Sequence, residues 1–304
     1  MELDEHRAEL AGYCYRMLGS GFEAEDAVQE TLAKAWRGRD RFDPVRGPLR
    51  PWLFRIATNV CLDMLRGGRR RALAADLGPA AEPGASLGEP LPVESWIYPV
   101  PDRLLDPAEL AVSRETVRLA FVAALQHLPP RQRAVLILRD VLSWSAAEVA
   151  DLLGASVAAV NSALQRARAT LPAGPAGSAG PAGDVDEGLL ARYVDAFERY
   201  DVETLVALLH EDATSSMPPF GWWLRGRDDI HRVLAAAGAP CEGSRLVRTS
   251  ANGLPAYGQY LDGEPFALVL VETSGGLISA ITTYLDPGLF PLFRLADEFR
   301  RAGS

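Results

Sequence analysis

The sequence predicts a multidomain chain: two all-α helical domains, the second a helix-turn-helix, followed by an α+β cone-like domain. Three observations carry this reading. The N-terminal half carries helical apolar patterns, and two of them, within SAAEVADLLGASVAAVNSALQRARATL at 145–171, meet across a tight Gly154-Ala155-Ser156 turn. Beyond a helical stretch at about 185–210 the period changes, and FALVLVE at 266–272 and LISAITTYL at 277–285 read as strands bounded by Gly and Asp. At 304 residues the chain is too long for one ordinary helical core and suits two or three domains.

Composition excludes several classes. No apolar run approaches the roughly 18 residues that a membrane span requires, and the acidic start MELDEHRAEL lacks the zones of a signal peptide. Cys14, Cys61 and Cys241 are far apart and form no CxxC pair, which argues against a disulfide framework or a metal site and for a cytoplasmic chain with buried thiols. The net charge of −9 is unevenly placed: residues 1–171 hold 21 basic and 22 acidic side chains, and the remainder hold 10 and 18. Acidity is therefore mostly C-terminal. Within the first part, residues 34–71 hold eleven basic side chains against Asp40, Asp43 and Asp63, a local excess that attracts phosphates.

Taken in chain order, the first helical face of note is Asp26, Gln29 and Glu30, whose i, i+3, i+4 spacing presents two carboxylates and an amide to a basic partner. Over 52–66, Trp52, Ile56, Val60 and Met64 form an apolar stripe expected in the core. Asn59, Asp63 and Arg66 lie beside it, suited to base edges, while Arg66 and Arg69, Arg70 and Arg71 suit phosphates. Seven prolines between 76 and 107 describe an extended connector that neither a helix nor a central strand can cross. In the helix-turn-helix, Ser145 with Glu148 makes a capping box and Val149, Leu152 and Leu153 an apolar face. Ser156 caps the second helix, whose Val157, Val160 and Leu164 should face inward. That helix could lie in a major groove. PAGPAGSAGPAG at 172–183 is a low-complexity linker. The C-terminal α+β part should have a concave face where a pocket can form, with Trp222, Trp223 and Tyr284 as candidate lining.

These residues carry a resemblance. EAEDAVQETLAKAW at 23–36, followed by PWLFRIATNVCLDMLRGGRRR at 51–71, resembles the polymerase-binding and −10-reading regions of extracytoplasmic function (ECF) sigma factors of the sigma-70 superfamily, and the helix-turn-helix stands where their −35-reading domain belongs. The pattern FGWWLRGRDDIHRVL at 220–234 and the late strands resemble a SnoaL-like domain of the nuclear-transport-factor-2-like fold, and WIYPVPD at 96–102 resembles the connector of a subgroup carrying such an extension. The resemblance implies region 2 at 1–75, a Pro-rich linker at 76–112, region 4 at 113–171, a flexible linker at 172–184 and a SnoaL-like regulatory domain at 185–304. It implies core RNA polymerase (β′ clamp and β flap) and promoter DNA as partners. Asp26, Gln29 and Glu30 would face the polymerase, Asn59, Asp63, Arg66 and Arg69–Arg71 the −10 element, and Ser156, Asn161, Ser162, Gln165, Arg166 and Arg168 the −35 element. In the last module the family's approximate S-x-G-T-V-K-S-R-L-x-R-A-R has Ala158, Ala159, Asn161 and Ala163 at the Gly, Thr, Lys and Arg places. Two cationic contacts are missing, which lowers −35 affinity or changes its preference.

Three functions compete on sequence: a sigma factor with a regulatory C-terminal domain, a promoter-binding regulator that never joins polymerase, and an enzyme fused to a DNA-binding segment. Residues 23–71 favour the first over the second, since an ordinary repressor has no use for polymerase docking and strand melting. SnoaL itself is a polyketide cyclase, and His210, His231, Asp228, Asp229, Trp222, Trp223 and Tyr284 invite the third. Yet Asp228 and Asp229 read as helix-start residues and His231 as a first-turn residue, and no acid/base pair has a compelling spacing. The expectation is a non-enzymatic initiation factor without cofactor or metal, whose acidic C-terminal domain contacts its own DNA-binding domains or the WIYPVPD linker.

Overall fold

A computed structural model describes residues 3–45, 47–68, 70–171, 186–238 and 241–295. Arg69 and the linker expected at 172–184 lie outside them. The chain divides into two compact units: an all-α unit from the residues up to Arg71 and those from Ile97 through the helix-turn-helix, and an α+β unit that joins Ala72–Trp96 to the C-terminal residues.

The all-α unit starts with α1 (Arg7–Leu18), α2 (Gly21–Arg37) and α3 (Leu49–Met64). Gly19 ends α1 in the left-handed conformation (φ 73°) and gives its N–H to the Tyr15 carbonyl at 2.8 Å. Ser20 starts α2 by accepting from the Glu23 N–H. Helix α1 is buried from Leu10 to Leu18 because it is packed on several sides, and Tyr13 meets the Phe54 ring at 5.2 Å and the Thr58 hydroxyl at 2.8 Å. The α3 core face is Leu53, Phe54, Ala57, Val60 and Cys61. This corrects the expected stripe: of Trp52, Ile56, Val60 and Met64 only Val60 is buried, and Met64 is 39% exposed. Two apolar stripes lie side by side on α3, and its neighbours, not its periodicity, select the one that is covered.

After the short α4 (Ala74–Leu77) the chain re-enters this unit at Ile97. Ile97, Tyr98, Val100 and Leu105 are buried, and the Tyr98 N–H donates to the Gly19 carbonyl at 2.9 Å, so most of WIYPVPD packs on the α1–α2 turn. Then come α5 (Pro107–Ser113), α6 (Leu119–Gln126), α7 (Pro130–Leu136, prolonged by a wider π turn through Val141), α8 (Ala146–Leu153) and α9 (Val157–Thr170). A buried polar network joins this half to α1. Arg16, wholly buried, reaches Glu109 at 2.6 Å and the Thr116 hydroxyl at 2.7 Å, and Arg133 donates to the carbonyls of Met17, Gln126 and Leu128. Burial pulls the Arg16 guanidinium below its ordinary value, pushes the Glu109 carboxyl up and lowers Arg133 to about 10.

The α+β unit contains α10 (Glu187–Glu198), α11 (Val202–Ala207), β1 (Leu209–Ser216), β2 (Trp223–Arg225), α12 (Arg227–Ala236), β3 (Arg245–Ala251), β4 (Leu254–Leu261), β5 (Glu264–Ser274), β6 (Leu277–Tyr284) and α13 (Leu289–Phe293). The six strands lie in the order β2-β1-β6-β5-β4-β3, antiparallel except for the β1–β6 pair. Leu189, Leu190, Tyr193, Leu205, Tyr257, Val269 and Val271 belong to the apolar core between helices and sheet. The expected strands are β5 and β6, and the structure adds β1 to β4.

The connector segment Ala72–Trp96 forms part of this second unit. Its ends are paired, Ala72 N–H to Ser95 carbonyl at 2.9 Å with a parallel bridge between Ala72 and Trp96. Its middle runs along the β1–β2 connection. Ala81 donates to the Trp223 carbonyl (2.7 Å), Leu91 to the Pro219 carbonyl (2.8 Å), and the Trp223 indole N–H to the Gly78 carbonyl (3.0 Å), while Pro90 bridges to Phe220. The segment, whose four prolines donate nothing, is thereby held as a closed loop by some of its remaining N–H groups and by donors of the domain.

Candidate nucleic-acid interface

Helices α8 and α9 cross at 102°, within the range of a helix-turn-helix. The Ser145 hydroxyl accepts from the Glu148 N–H (3.2 Å) while the Glu148 carboxylate accepts from the Ser145 N–H (2.7 Å), which holds that carboxyl below its ordinary value. Gly154 turns the chain at φ 62°, and Ser156 caps α9 by accepting from Ala159. Val160, Leu164 and Ala167 face the core, but Val157, the first residue of α9, is 45% exposed and not inward as expected. Ser156, Asn161, Ser162, Gln165, Arg166 and Arg168 are all exposed. Arg168 is held in a fork by Asp140 at 2.9 and 2.7 Å, so its charge is shared with a carboxylate.

On α3, Asn59, Asp63 and Arg66 are exposed, and Arg66 leans on Asp63 at 3.0 Å. Beside Asn59 lies a cleft of about 370 Å³ lined by Lys34, Gly38, Trp52, Ile56 and Asn59. The sequence reading missed Lys34 and Gly38 here and assigned Trp52 and Ile56 to the core. The signal was present in the second apolar stripe of α3. Arg70 is exposed, within 3.1 Å of the His127 ring. Arg71 is a correction: its side chain is buried and reaches Glu23 at 2.6 Å, so it ties the end of this module to α2 instead of facing a phosphate. Other cations of the 34–71 run are also engaged, Arg50 with Glu9, Arg55 with Asp151, and Lys34 and Arg37 with Glu30. The free positive charge is smaller than the sequence count implies.

Asp26, Gln29 and Glu30 are exposed together on α2, as their spacing requires. In the α+β unit, Trp222, Trp223 and Tyr284 do not line a common pocket. Trp222 is 7% exposed within the apolar core, Trp223 is held by the connector, and Tyr284 is wholly buried, paired with Leu268 on the sheet face opposite Val269. Two-residue alternation along β5 separates those faces. Asp228 and Asp229 lie in the first turn of α12, and His231 pairs with Glu203 at 3.1 Å on the surface. His210 accepts from the Asp212 N–H. Cys14 and Cys61 are buried, Cys241 only partly. Among the described residues no group of His, Cys, Asp or Glu is arranged to hold a metal, and no single helix is long and apolar enough to cross a membrane.

Comparison with known proteins agrees with this geometry. Residues 3–71 match the family model for sigma-70 region 2, residues 118–171 the one for sigma-70 region 4, and residues 190–256 the one for a SnoaL-like domain. The ECF RNA polymerase sigma factor SigG of Mycobacterium tuberculosis is 46% identical over 310 residues, covering 97% of this chain and 83% of that protein. SigJ of the same species is 32% identical over 239 residues, covering 77% of this chain and 71% of that one. The crystal structure of SigJ has the same fold, with a TM-score of 0.61 at 23% identity over 96% of this chain and 98% of that chain. A helix-turn-helix matching region 4, preceded by a helical module matching region 2 and followed by a SnoaL-like unit, at this identity and over this length, makes the chain a member of the ECF RNA polymerase sigma factors.

Proposed function

We propose that the chain docks on core polymerase through Asp26, Gln29 and Glu30 of α2 against the β′ clamp, with region 4 toward the β flap, and directs initiation at promoters read by α3 and α9. Asn59, Asp63, Arg66 and Arg70 serve the −10 element, and Ser156, Asn161, Ser162, Gln165, Arg166 and Arg168 the −35 element. The observation that carries the reading is the cleft beside Asn59: it offers the Trp52 ring as a stacking surface and an amide for hydrogen bonding, suited to an unstacked base of a melted strand. A passive duplex binder has no use for such a cleft. Capturing a base offsets part of the few kcal/mol of unstacking.

The C-terminal unit acts on the sigma modules as a regulator. The support is the connector: Ala72–Trp96 lies between the two DNA-reading modules in sequence but is held within the fold of the C-terminal unit. Runoff transcription with core polymerase tests both parts. The full chain is expected to form open complexes, and deletion of residues 184–304 to change their rate or promoter preference. Absence of transcription by the full chain would reduce it to a promoter-binding regulator, and an unchanged truncated protein would remove the regulatory role.

A further inference from the structure

The outward face of α9 is built without positive charge over the part that enters a groove first. Residues 156–165 contain no Lys or Arg. In their place Val157, Ala158, Asn161 and Gln165 are exposed, while Val160 and Leu164 take the core side. Val157, Asn161 and Gln165 follow at four-residue spacing, so a pair of methyl groups and then two carboxamides succeed one another along one edge of the helix. The cations come later. Arg166 is exposed, and Arg168 is already forked on Asp140 at 2.9 and 2.7 Å.

Each of these groups has its own partner on a base edge of the major groove. Arg and Lys pair with guanine O6 and N7; a carboxamide pairs with adenine, accepting from N6 and donating to N7; an apolar side chain packs on the methyl group of thymine. The N-terminal residues of a recognition helix are the ones that meet base edges, and in α9 they offer carboxamides and methyl groups but no cation. Resting on the sigma-factor reading above, we propose that Asn161 and Gln165 each read an adenine of the −35 element and that Val157 and Ala158 pack on thymine methyl groups beside them, so that α9 selects A·T pairs where a cationic helix selects G·C. Asn161 and Gln165 stand about 6 Å apart along the helix axis, and stacked bases rise about 3.4 Å. The two adenines therefore lie about two steps apart. Arg166, beyond them, contacts a phosphate, which positions the helix without reading sequence.

The test uses holoenzyme of the full chain with core polymerase, offered duplexes whose upstream element is randomised, and counts the sequences retained. The parent is expected to enrich A·T at two positions about two steps apart, each G·C replacement there costing about 5- to 150-fold in affinity. Asn161→Ala should erase the preference at one of these positions and Gln165→Ala at the other, each leaving its neighbour's preference intact. Asn161→Arg should turn the first position toward G·C, a change that a merely structural role does not produce. Both residues are exposed, so the substitutions spare the core. Enrichment of G·C by the parent at the positions that respond, no response to either Ala variant, or no upstream preference at all overturns the proposal. A uniform loss over all sequences also overturns it, since the carboxamides would then contact phosphates. Failure of the chain to form holoenzyme would instead refute the sigma-factor reading.

Discussion

The two units bury different things. In the all-α unit the interior includes Arg16, Arg71, Arg133 and Gln126, whereas among the described residues the buried polar ones of the α+β unit are the uncharged Ser244, Asn252 and Gln259. Arg16 and Arg133 lie where region 4 and its approach meet α1, and their partners include Glu109, Thr116 and backbone carbonyls, sequence-distant from α1 or contributed by it. A buried guanidinium gives little net stability because desolvation offsets its attraction, yet it is costly to leave without its partner. An apolar core has no such asymmetry.

The strongest way to break this comparison is to remove one side of the buried pair. Glu109→Ala leaves Arg16 without its carboxylate and is expected to lower the stability of the all-α unit by about 3–5 kcal/mol, while Arg16→Met combined with Glu109→Leu should cost far less. Urea unfolding followed by far-ultraviolet circular dichroism reads both. Equal losses in the single and double variants would mean that Arg16 is held by packing alone.

A core deletion in the other unit sharpens the contrast. Leu190, 1% exposed in the apolar cluster, should cost about 2–5 kcal/mol when changed to Ala, in proportion to the cavity left. No second substitution of a polar partner should rescue it. Hydrogen exchange should show faster opening of β5 and α10 in this variant with α1 and α3 unchanged; loss of protection in both units together would show that they unfold as one.

The smallest expected effect is on pH. Burial raises the Glu109 carboxyl above its ordinary 4.5, so the folded chain binds that proton more tightly than the unfolded chain does. Its contribution to stability is present in full below the ordinary value and is lost as pH rises through the raised folded value. Between those two values the parent protein should therefore lose stability with rising pH relative to Glu109→Gln, as measured by urea midpoints over a pH series. A constant difference between the two proteins across the series would contradict the burial of a charged Glu109.

Much of this was legible from local signals. The Ser145/Glu148 capping box, the Gly154 turn, the Ser156 cap and the exposed face of Asp26, Gln29 and Glu30 each depend on residues within one or two helical turns, and each occurs where the spacing places it. The order of modules and the late strands were also determined by sequence, because apolar periodicity changes where the fold class changes. Tertiary structure alone decided the rest. Which apolar stripe of α3 is covered depends on α1, α2 and region 4, so Trp52 and Ile56 line a cleft and Phe54 holds Trp144. Arg71 is buried because Glu23, 48 residues earlier, stands beside it. Trp222 and Tyr284 fall apart because strand alternation sends residues to opposite faces, and the sheet's partners on each face are set by pairings that no short window contains. The connector's place in the C-terminal unit rests on backbone bonds from Ala81 and Leu91 to residues more than a hundred positions away. Backbone donors and acceptors are the same in every residue but proline, so side-chain identities do not announce such bonds.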